Sequence, residues 1–466
     1  MGKRALYFIA WAVVFTAIGG CHPIKDLQQP DTAMPDSYTD STATVSSASY
    51  ADNDWRRVFD DQTLCDLIEK ALVHNHDILK AAARVDEVRE LYGISKSDYY
   101  PTVDATVRGE RETKWYHDGS TPDGNYSPDP QVGIKVHIGW EYNLMGKLNY
   151  ARRQAEADFK ATLDDQQAMR MTVIAQVASA YYQLLAQETA IGITRRTLLT
   201  REESVKKAKL RFEAGLTSEL VYLQARTEYI STQSLIPELN RQAEILRTAL
   251  SILTGEYPTA VNDARTINLS DVLPPKLPLG VPSQLLQRRP DLRASEQRLN
   301  AAAQAVGVAY ADRFPSIRLD FTAGFWNSRF PELFKSAYYY PIGAVGGSLL
   351  DFGRKKRQHK AAVARYEQSR IQYEQDLLRA FGEVRDASVN YQQAHASADS
   401  KKELTVAAGQ YLRLAVMQYH AGTLSYLDVL DAQRRLFDAE IGLSNAIRDE
   451  YLAMIELYKA LGGGWN

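Results

Sequence analysis

Three of four β-patterned segments of the chain alternate between apolar and polar residues with the two-residue period of a β-strand. The clearest is Val132–Trp140, where valine, isoleucine and tryptophan fall on one face and lysine and histidine on the other. Val103–Val107 and Ile317–Phe325 alternate in the same way, whereas a glycine-rich segment around 340–350 is ambiguous. Strands of about ten residues with one apolar face fit a lipid-facing barrel, but also a half-buried sheet in a soluble protein.

Long stretches without proline follow both β-patterned pairs. Gly146–Gly215 and Gly353–Gly422 each span 69 steps, and as continuous helix each would reach roughly 100 Å. Such helices need lateral partners along their length, as in a coiled coil or a barrel of helices. Shorter helical segments are predicted before each β pair and after each long stretch, at about 63–98, 285–312, 216–254 and 423–461.

The same order of segments occurs twice along the chain. Tyr100-Pro101-Thr102 matches Phe314-Pro315-Ser316 at a spacing of 214, and further on Gly146-Lys147 matches Gly353-Arg354 at a spacing of 207. The spacing changes after Pro101, so the connection there is predicted to be longer in the first half. Pro237 has no counterpart in the second half and is expected to interrupt the helix that contains it.

These boundaries divide the chain into five parts. We assign residues 1–20 to a lipoprotein signal peptide and 21–60 to an N-terminal tether rich in Ser, Thr, Asp and Pro. The first repeat covers 61–256 with a β-hairpin at about 102–142, and the second covers 283–466 with a hairpin at about 316–350. A proline-rich linker, 257–282, joins them.

The N-terminus has the pattern of a secretory signal. Lys3 and Arg4 precede an apolar run, and Gly19-Gly20 supply small residues before Cys21. Cys21 therefore resembles the acylated cysteine of a bacterial lipoprotein, the alternative being an ordinary core cysteine. By resemblance to sorted lipoproteins, His22 in place of an aspartate favours the outer membrane. Acylation of Cys21 would leave Cys65 as the only thiol, which excludes an internal disulfide.

Charge and motifs argue against several classes of function. A net charge of −2 gives no sign of a nucleic-acid partner. The 8 histidines form no HExxH motif, and the chain has neither a nucleophile elbow nor a phosphate-binding loop. We therefore expect no enzyme activity, no cofactor and no metal site.

The motifs that identify a family lie in the second half. Arg288-Arg289-Pro290-Asp291-Leu292 with Phe314-Pro315-Ser316-Ile317, and Tyr419-His420-Ala421-Gly422-Thr423 followed by Tyr426–Gln433, resemble the TolC-like outer membrane factors, in the lipoprotein branch that serves multidrug efflux. The match covers about residues 55–466. It implies an α+β membrane protein: a homotrimer whose long α-helical barrel is continuous with a transmembrane β-barrel of four strands per subunit.

The function implied by this resemblance is a passive exit duct for small molecules. The trimer would sit in the cell outer membrane among its lipids, lipid-anchored, and extend into the periplasm. There it would dock onto a periplasmic adaptor protein and an inner-membrane pump. The resemblance leaves open a conduit for type I protein secretion, and the helical pattern alone also fits a periplasmic coiled-coil scaffold.

The resemblance also implies where the gate lies. Asp428 and Asp431, three residues apart on one helix face, take the positions of the family's constriction rings, and Tyr419 is available for an inter-helix hydrogen bond. From residue types alone, the same two aspartates fit acids that favour the first turns of a helix. The adaptor is expected to contact the two turns, at Gly215, Leu216 and Thr217 and at Gly422, Thr423 and Leu424.

One departure from the family pattern concerns the closed state. Relatives carry an arginine two residues after the second tip glycine, and this chain has Leu424 there. Val221 stands where the matching acidic partner would be. We therefore expect a latch that is weaker or differently built.

Overall fold

The structure is a computed structural model that describes residues 24, 27–31, 49–59, 61–116, 125–143, 145–258, 282–348 and 350–463. The described residues fall into two compact units. One is drawn from 1–31, 85–162 and 295–374, and the other from 32–84, 163–294 and 375–466. Cys21, most of the predicted tether and most of the predicted linker lie outside the described residues.

Long helices and one antiparallel sheet account for most of the described chain. None of the helices within it combines the length and the apolar character needed to cross a membrane. The four strands are joined in the order β1-β2-β3-β4. The elements are α1 (Trp55–Val58), α2 (Gln62–His74), α3 (His76–Ser97), β1 (Thr102–Tyr116), β2 (Asn125–Tyr142), α4 (Lys147–Glu213), α5 (Glu219–Leu253), α6 (Leu285–Arg288), α7 (Pro290–Ala311), β3 (Ser316–Asn327), β4 (Ala337–Gly346), α8 (Arg354–His420) and α9 (Tyr426–Ala460).

The long and the returning helices have equal lengths in the two halves. Helices α4 and α8 both contain 67 residues, and α5 and α9 both contain 35. The additional residues of the first half lie in its hairpin, whose strands have 15 and 18 residues against 12 and 10 in the second. The predicted α+β chain with an internal repeat is therefore confirmed.

Glycines in the left-handed region end the equivalent segments. Gly146, Gly215 and Gly255 have φ values of 73°, 71° and 75°, and their counterparts at 353, 422 and 462 have φ values of 82°, 77° and 83°. A side chain is disfavoured at such φ values, and glycine is the usual residue there. The chain thus changes direction at the same three points in each repeat.

The helix predicted before each sheet hairpin is in fact two helices. Asn75 ends α2, and its Oδ1 accepts hydrogen bonds from the backbone N–H groups of Asp77 and Ile78 at the start of α3. Arg289, the equivalent residue, ends α6 because Pro290 follows it, and a residue before proline is kept out of the helical region. Arg289 has φ −83° and ψ 113°.

Two further sequence expectations are corrected. Helix α5 runs through Pro237 without ending there; the missing N–H removes one hydrogen bond, which a helix supported on both sides of the proline tolerates. Strand β4 begins at Ala337 and ends at Gly346, some residues earlier than the segment 340–350 suggested. Its glycines and tyrosines hide the alternation, but the pairing of Tyr340 with Thr322 places it in the sheet.

The core of the second unit surrounds the C-terminal half of α9. Met454, Leu457 and Leu461 are fully or almost fully buried there. The ring of Tyr182 stacks on that of Tyr451 with 4.2 Å between centroids. The Tyr458 hydroxyl donates to the carbonyl of Asn53 at 2.7 Å. Aromatic contacts and buried aliphatic side chains therefore join the short N-terminal elements to the last helix.

In the first unit, one aspartate joins the starts of both long helices to the end of α7. The Nζ atoms of Lys147 and Lys355 lie 3.8 and 3.5 Å from the Asp312 carboxylate. Close packing supports this junction: a Cβ on Gly307 would lie 2.5 Å from the ring of Tyr150. The sheet is thereby fixed to the helices that follow its hairpins.

The sheet has one apolar and one polar face, as the alternation predicted. Val103, Val107 and Val345 are exposed apolar side chains, with Val107 74% exposed. On the opposite face His137 lies 3.1 Å from the Thr322 hydroxyl and 3.3 Å from the Asp320 carboxylate. Among the described residues, these apolar side chains of the sheet stay exposed in a single copy of the chain.

Two matched glycine substitutions test the turn geometry. Gly215→Ala should cost about 1–2 kcal/mol, because alanine is strained at positive φ but meets nothing within 4 Å. Gly255→Ala should cost at least about 2 kcal/mol more, since its Cβ would lie 2.4 Å from the His74 carbonyl oxygen. Thermal unfolding of both variants measures the difference, and equal destabilisation would contradict the structure.

Candidate functional site: the helix tips

Each long helix ends in a five-residue turn that leads into a shorter helix. We call residues 214–218 the first tip and 421–425 the second tip. In the first, Gly215 N–H donates to the Phe212 carbonyl at 2.9 Å and Leu216 N–H to the Arg211 carbonyl at 2.8 Å. In the second, Gly422 and Thr423 donate to Tyr419 and Gln418 at 3.0 Å each. Both tips therefore satisfy the last helical carbonyls through a Schellman motif.

An apolar cluster supports the second tip. Ala415, Val429 and Ala432 are buried at its centre. Tyr419, Leu424 and Tyr426 are among the partly buried residues packed against it. The Tyr419 and Tyr426 ring centroids are 5.4 Å apart, and the Arg211 guanidinium lies 5.7 Å from the Tyr419 ring. Leu424, where the family pattern has an arginine, thus takes part in apolar packing.

The Asp428 carboxylate accepts hydrogen bonds at the start of α9. It accepts the Ser425 backbone N–H at 3.2 Å and the Ser425 hydroxyl at 2.7 Å. This capping contact joins the second tip to the first turn of α9, where acidic side chains are favourable to the helix dipole.

Asp431 has two arginine partners on its own helix. Arg434 donates to one carboxylate oxygen at 2.8 Å, and Arg435 donates to the other at 2.6 Å. The hydrogen bond from Arg435, with that from Arg434, holds the pKa of the Asp431 carboxyl below its usual range. Asp431 is therefore ionised at neutral pH, but its charge is neutralised locally.

A groove of about 450 Å³ runs between α5 and α9 behind the tips. Exposed leucines line one part of it, among them Leu220 and Leu427. Asp431 and Arg434 line another part. The groove thus places the Asp431 ion pair beside apolar side chains of both shorter helices.

Arg201 connects three helices further along the second unit, and no sequence pattern singles it out. Its side chain is only 6% exposed and lies 2.9 Å from the Glu228 carboxylate. It also donates to the Thr232 hydroxyl on α5, and it faces the Phe437 ring of α9 at 5.6 Å. Burial lowers the pKa of Arg201 against the opposing effect of Glu228.

The structure brings together most, though not all, of the predicted site residues. Tyr419 and Leu424 pack on the apolar cluster of the second tip. Near them, the Thr423 hydroxyl donates to the Gln418 carbonyl at 3.1 Å, and the Asp428 carboxylate accepts from Ser425. Asp431 belongs to the groove. Of the first-tip residues, Gly215 and Leu216 are exposed and Thr217 is partly buried. Arg434 and Arg435 were not predicted as partners of Asp431, although their spacing from Asp431 is that of helical ion pairs.

Repeat-related positions differ in chemistry at the two tips. At a spacing of 207, Val221 corresponds to Asp428 and Gln224 to Asp431. The fold therefore does not require acids at these positions, since the first repeat forms the same turn without them.

Comparisons with known proteins agree with this architecture. The profile of the family described as "Outer membrane efflux protein" matches residues 67–256 and 281–463. The probable efflux pump outer membrane protein TtgC of Pseudomonas putida is 30% identical over 98% of this chain and 95% of its own length. The probable outer membrane lipoprotein SilC of Salmonella typhimurium is 28% identical over 99% of each chain.

The fold is also that of a solved channel. The crystal structure of the open state of the Neisseria gonorrhoeae MtrE outer membrane channel has a TM-score of 0.85, with 26% identity, and covers 95% of this chain and 98% of that one. The chain is a member of the outer membrane efflux protein family. The expected family is confirmed.

Replacing Arg201 tests the three-helix contact. Arg201→Met should destabilise the protein by about 2–3 kcal/mol, because it leaves Glu228 without its buried partner. The matched control is Arg196→Met, which removes an ion pair with Glu440 from a side chain that is 64% exposed and should cost less than about 1 kcal/mol. Thermal unfolding in detergent compares the two, and similar losses would refute the assigned role.

Proposed function

We propose that the chain is the passive exit duct of a tripartite efflux pump, carrying drugs or other small molecules across the outer membrane. Membership of the outer membrane efflux protein family carries this proposal. The duct binds no cofactor and catalyses no reaction. An inner-membrane pump supplies the energy, and a periplasmic adaptor joins the two at the tips.

The sheet supports a membrane-embedded oligomer. Its apolar side chains are exposed in one copy, as is expected of a surface that faces lipid. Strands β1 and β4 each leave one edge unpaired, and open edges are avoided where a sheet meets hydrocarbon. Four strands are too few to close on themselves, since about eight is the practical minimum. Three copies would supply twelve strands, and Cys21 acylation would add a lipid anchor.

At the gate, we assign different tasks to the two aspartates. Within the described residues, the Asp428 carboxylate contacts Ser425 and forms no ion pair, so that it would bring a negative charge to each copy. Asp431 is neutralised by Arg434 and Arg435 and orders the first turns of α9. In a trimer, three Asp428 carboxylates would repel by about 1 kcal/mol per pair at 4 Å in water and attract cations. Packing of Leu424 and Tyr419 takes the place of the arginine latch.

A strain that lacks this chain tests the function. It should become several-fold more susceptible to a panel of drugs and accumulate a fluorescent pump substrate, and the full chain should restore both. Protein secretion is measured in parallel. Loss of secreted proteins with unchanged drug susceptibility would instead support a secretion conduit, and no change in either would contradict the duct.

Single-channel recording tests the division of labour at the gate. Asp428→Asn should weaken block by divalent cations and raise the conductance, because it removes the free charge of each copy. Asp431→Asn should change block much less, since the Asp431 carboxylate already has two arginine partners. Glu203→Gln, at an exposed residue of α4, is the control. Block that is unchanged in Asp428→Asn, or equally weakened in the control, would refute the assignment.

A further inference from the structure

The connection from β4 to α8 carries an aromatic side chain in a conformation that bulky residues rarely adopt. Phe352 has φ 51°, the single positive φ of a residue other than glycine in the described part of the chain. Its side chain is 93% exposed, and Leu350 nearby is 82% exposed. A strained aromatic side chain left in solvent indicates that this segment has a partner outside the subunit.

A cluster of cations follows directly. Arg354, Lys356, Arg357 and Lys360 are exposed on the first turns of α8. With about 100° of rotation per residue, they share one arc of the helix, and Lys355 points to the opposite side. Lys355 is bound to Asp312, whereas the other four form no ion pair or side-chain hydrogen bond within the residues that the structure describes.

The surroundings leave this charge uncompensated. The Asp351 carboxylate accepts backbone N–H groups of Gly353 and Lys355 at 2.9 and 3.1 Å. The Asp312 carboxylate forms ion pairs with Lys147 and Lys355. Arg313, exposed beside Tyr310, adds a further cation. The segment therefore presents apolar side chains and a positive surface side by side.

The internal repeat does not impose this arrangement. The matching start of α4 has Lys147, Asn149, Tyr150 and Arg153 in place of the four cations. Tyr150 packs on Gly307, so this position serves the interior of the first unit. The cluster is thus a property of the second repeat alone, and it lies eight residues beyond the last residue of the sheet.

We propose that residues 350–360 bind the headgroup of an anionic phospholipid in the periplasmic leaflet of the outer membrane. Phe352 and Leu350 lie among the acyl chains near the interface, and Arg354, Lys356 and Arg357 surround the phosphate. Aromatic side chains favour that interface, and each nearby arginine or lysine strengthens binding to anionic lipid. The inference rests on the outer-membrane location of the duct but not on what it exports.

Native mass spectrometry of the full-length protein tests this site. The delipidated protein is incubated with micelles containing phosphatidylethanolamine and phosphatidylglycerol, and the lipids retained per chain are counted. Arg354→Gln with Lys356→Gln and Arg357→Gln should lower the affinity for phosphatidylglycerol at least roughly tenfold. The matched control removes three other exposed cations of α8, Arg385, Lys402 and Arg413, by the same change to glutamine, and should bind as the wild type does.

Phe352→Asn separates lipid contact from folding. Asparagine tolerates a left-handed backbone, so this variant should unfold at the same or a higher temperature than the wild type and still retain less phosphatidylglycerol. The proposal is overturned by unchanged retention in the junction triple variant, or by equal loss in the control triple. It is also overturned if the junction variant loses its oligomeric state while retention per chain stays unchanged, since the cations would then serve a subunit contact. Drug resistance of the same variants reports separately on the duct.

Discussion

Glycines in the left-handed region at matching positions set the limits of the helices in both repeats. Three pairs of glycines with positive φ, each separated by 207 residues, flank the equivalent helices. Between these glycines α4 and α8 have the same length, and so do α5 and α9. Equal lengths bring the two tips to equivalent positions in each repeat. A sheet hairpin precedes each long helix, so its attachment is repeated as well.

The two repeats share a backbone arrangement but differ in where their charged side chains lie. Asp428 and Asp431 have no acidic counterparts in the first repeat, and only two of the four cations at the start of α8 have a cationic counterpart in α4. The turn at each tip needs only glycine and backbone hydrogen bonds, so neighbouring positions were free to diverge. Gating and the binding of an anionic phospholipid, as we propose them, therefore both depend on residues of the second repeat, while the helices and strands of both repeats form the scaffold.

Ion pairs within α9 reduce the net negative charge that Asp428 and Asp431 would bring to a ring of acids. Two aspartates on one helix face suggest two equivalent charges per copy, but Arg434 and Arg435 neutralise one of them. In the gate as we propose it, the closed state depends on apolar packing around Leu424 and Tyr419 together with the Asp428 carboxylate. Arg201 stabilises the helices that carry the tips, because its buried guanidinium, on α4, contacts Glu228 of α5 and the Phe437 ring of α9.

The sequence by itself determined the repeat, the long helices, three of the four strands and the two tips. These features follow from local rules: absence of proline, glycine at reversals, and alternation on a two-residue period. Even the partners of Asp431 obey helical spacing and could have been predicted. The breaks at Asn75 and Arg289 are local as well, since an asparagine caps the helix that follows it and a residue before proline leaves the helical region. Only the tertiary structure decided the course of α5 through Pro237, the burial of Arg201 and the exposure of Phe352. Each of these depends on contacts between residues far apart in the chain, or on their absence, and no local pattern encodes such contacts.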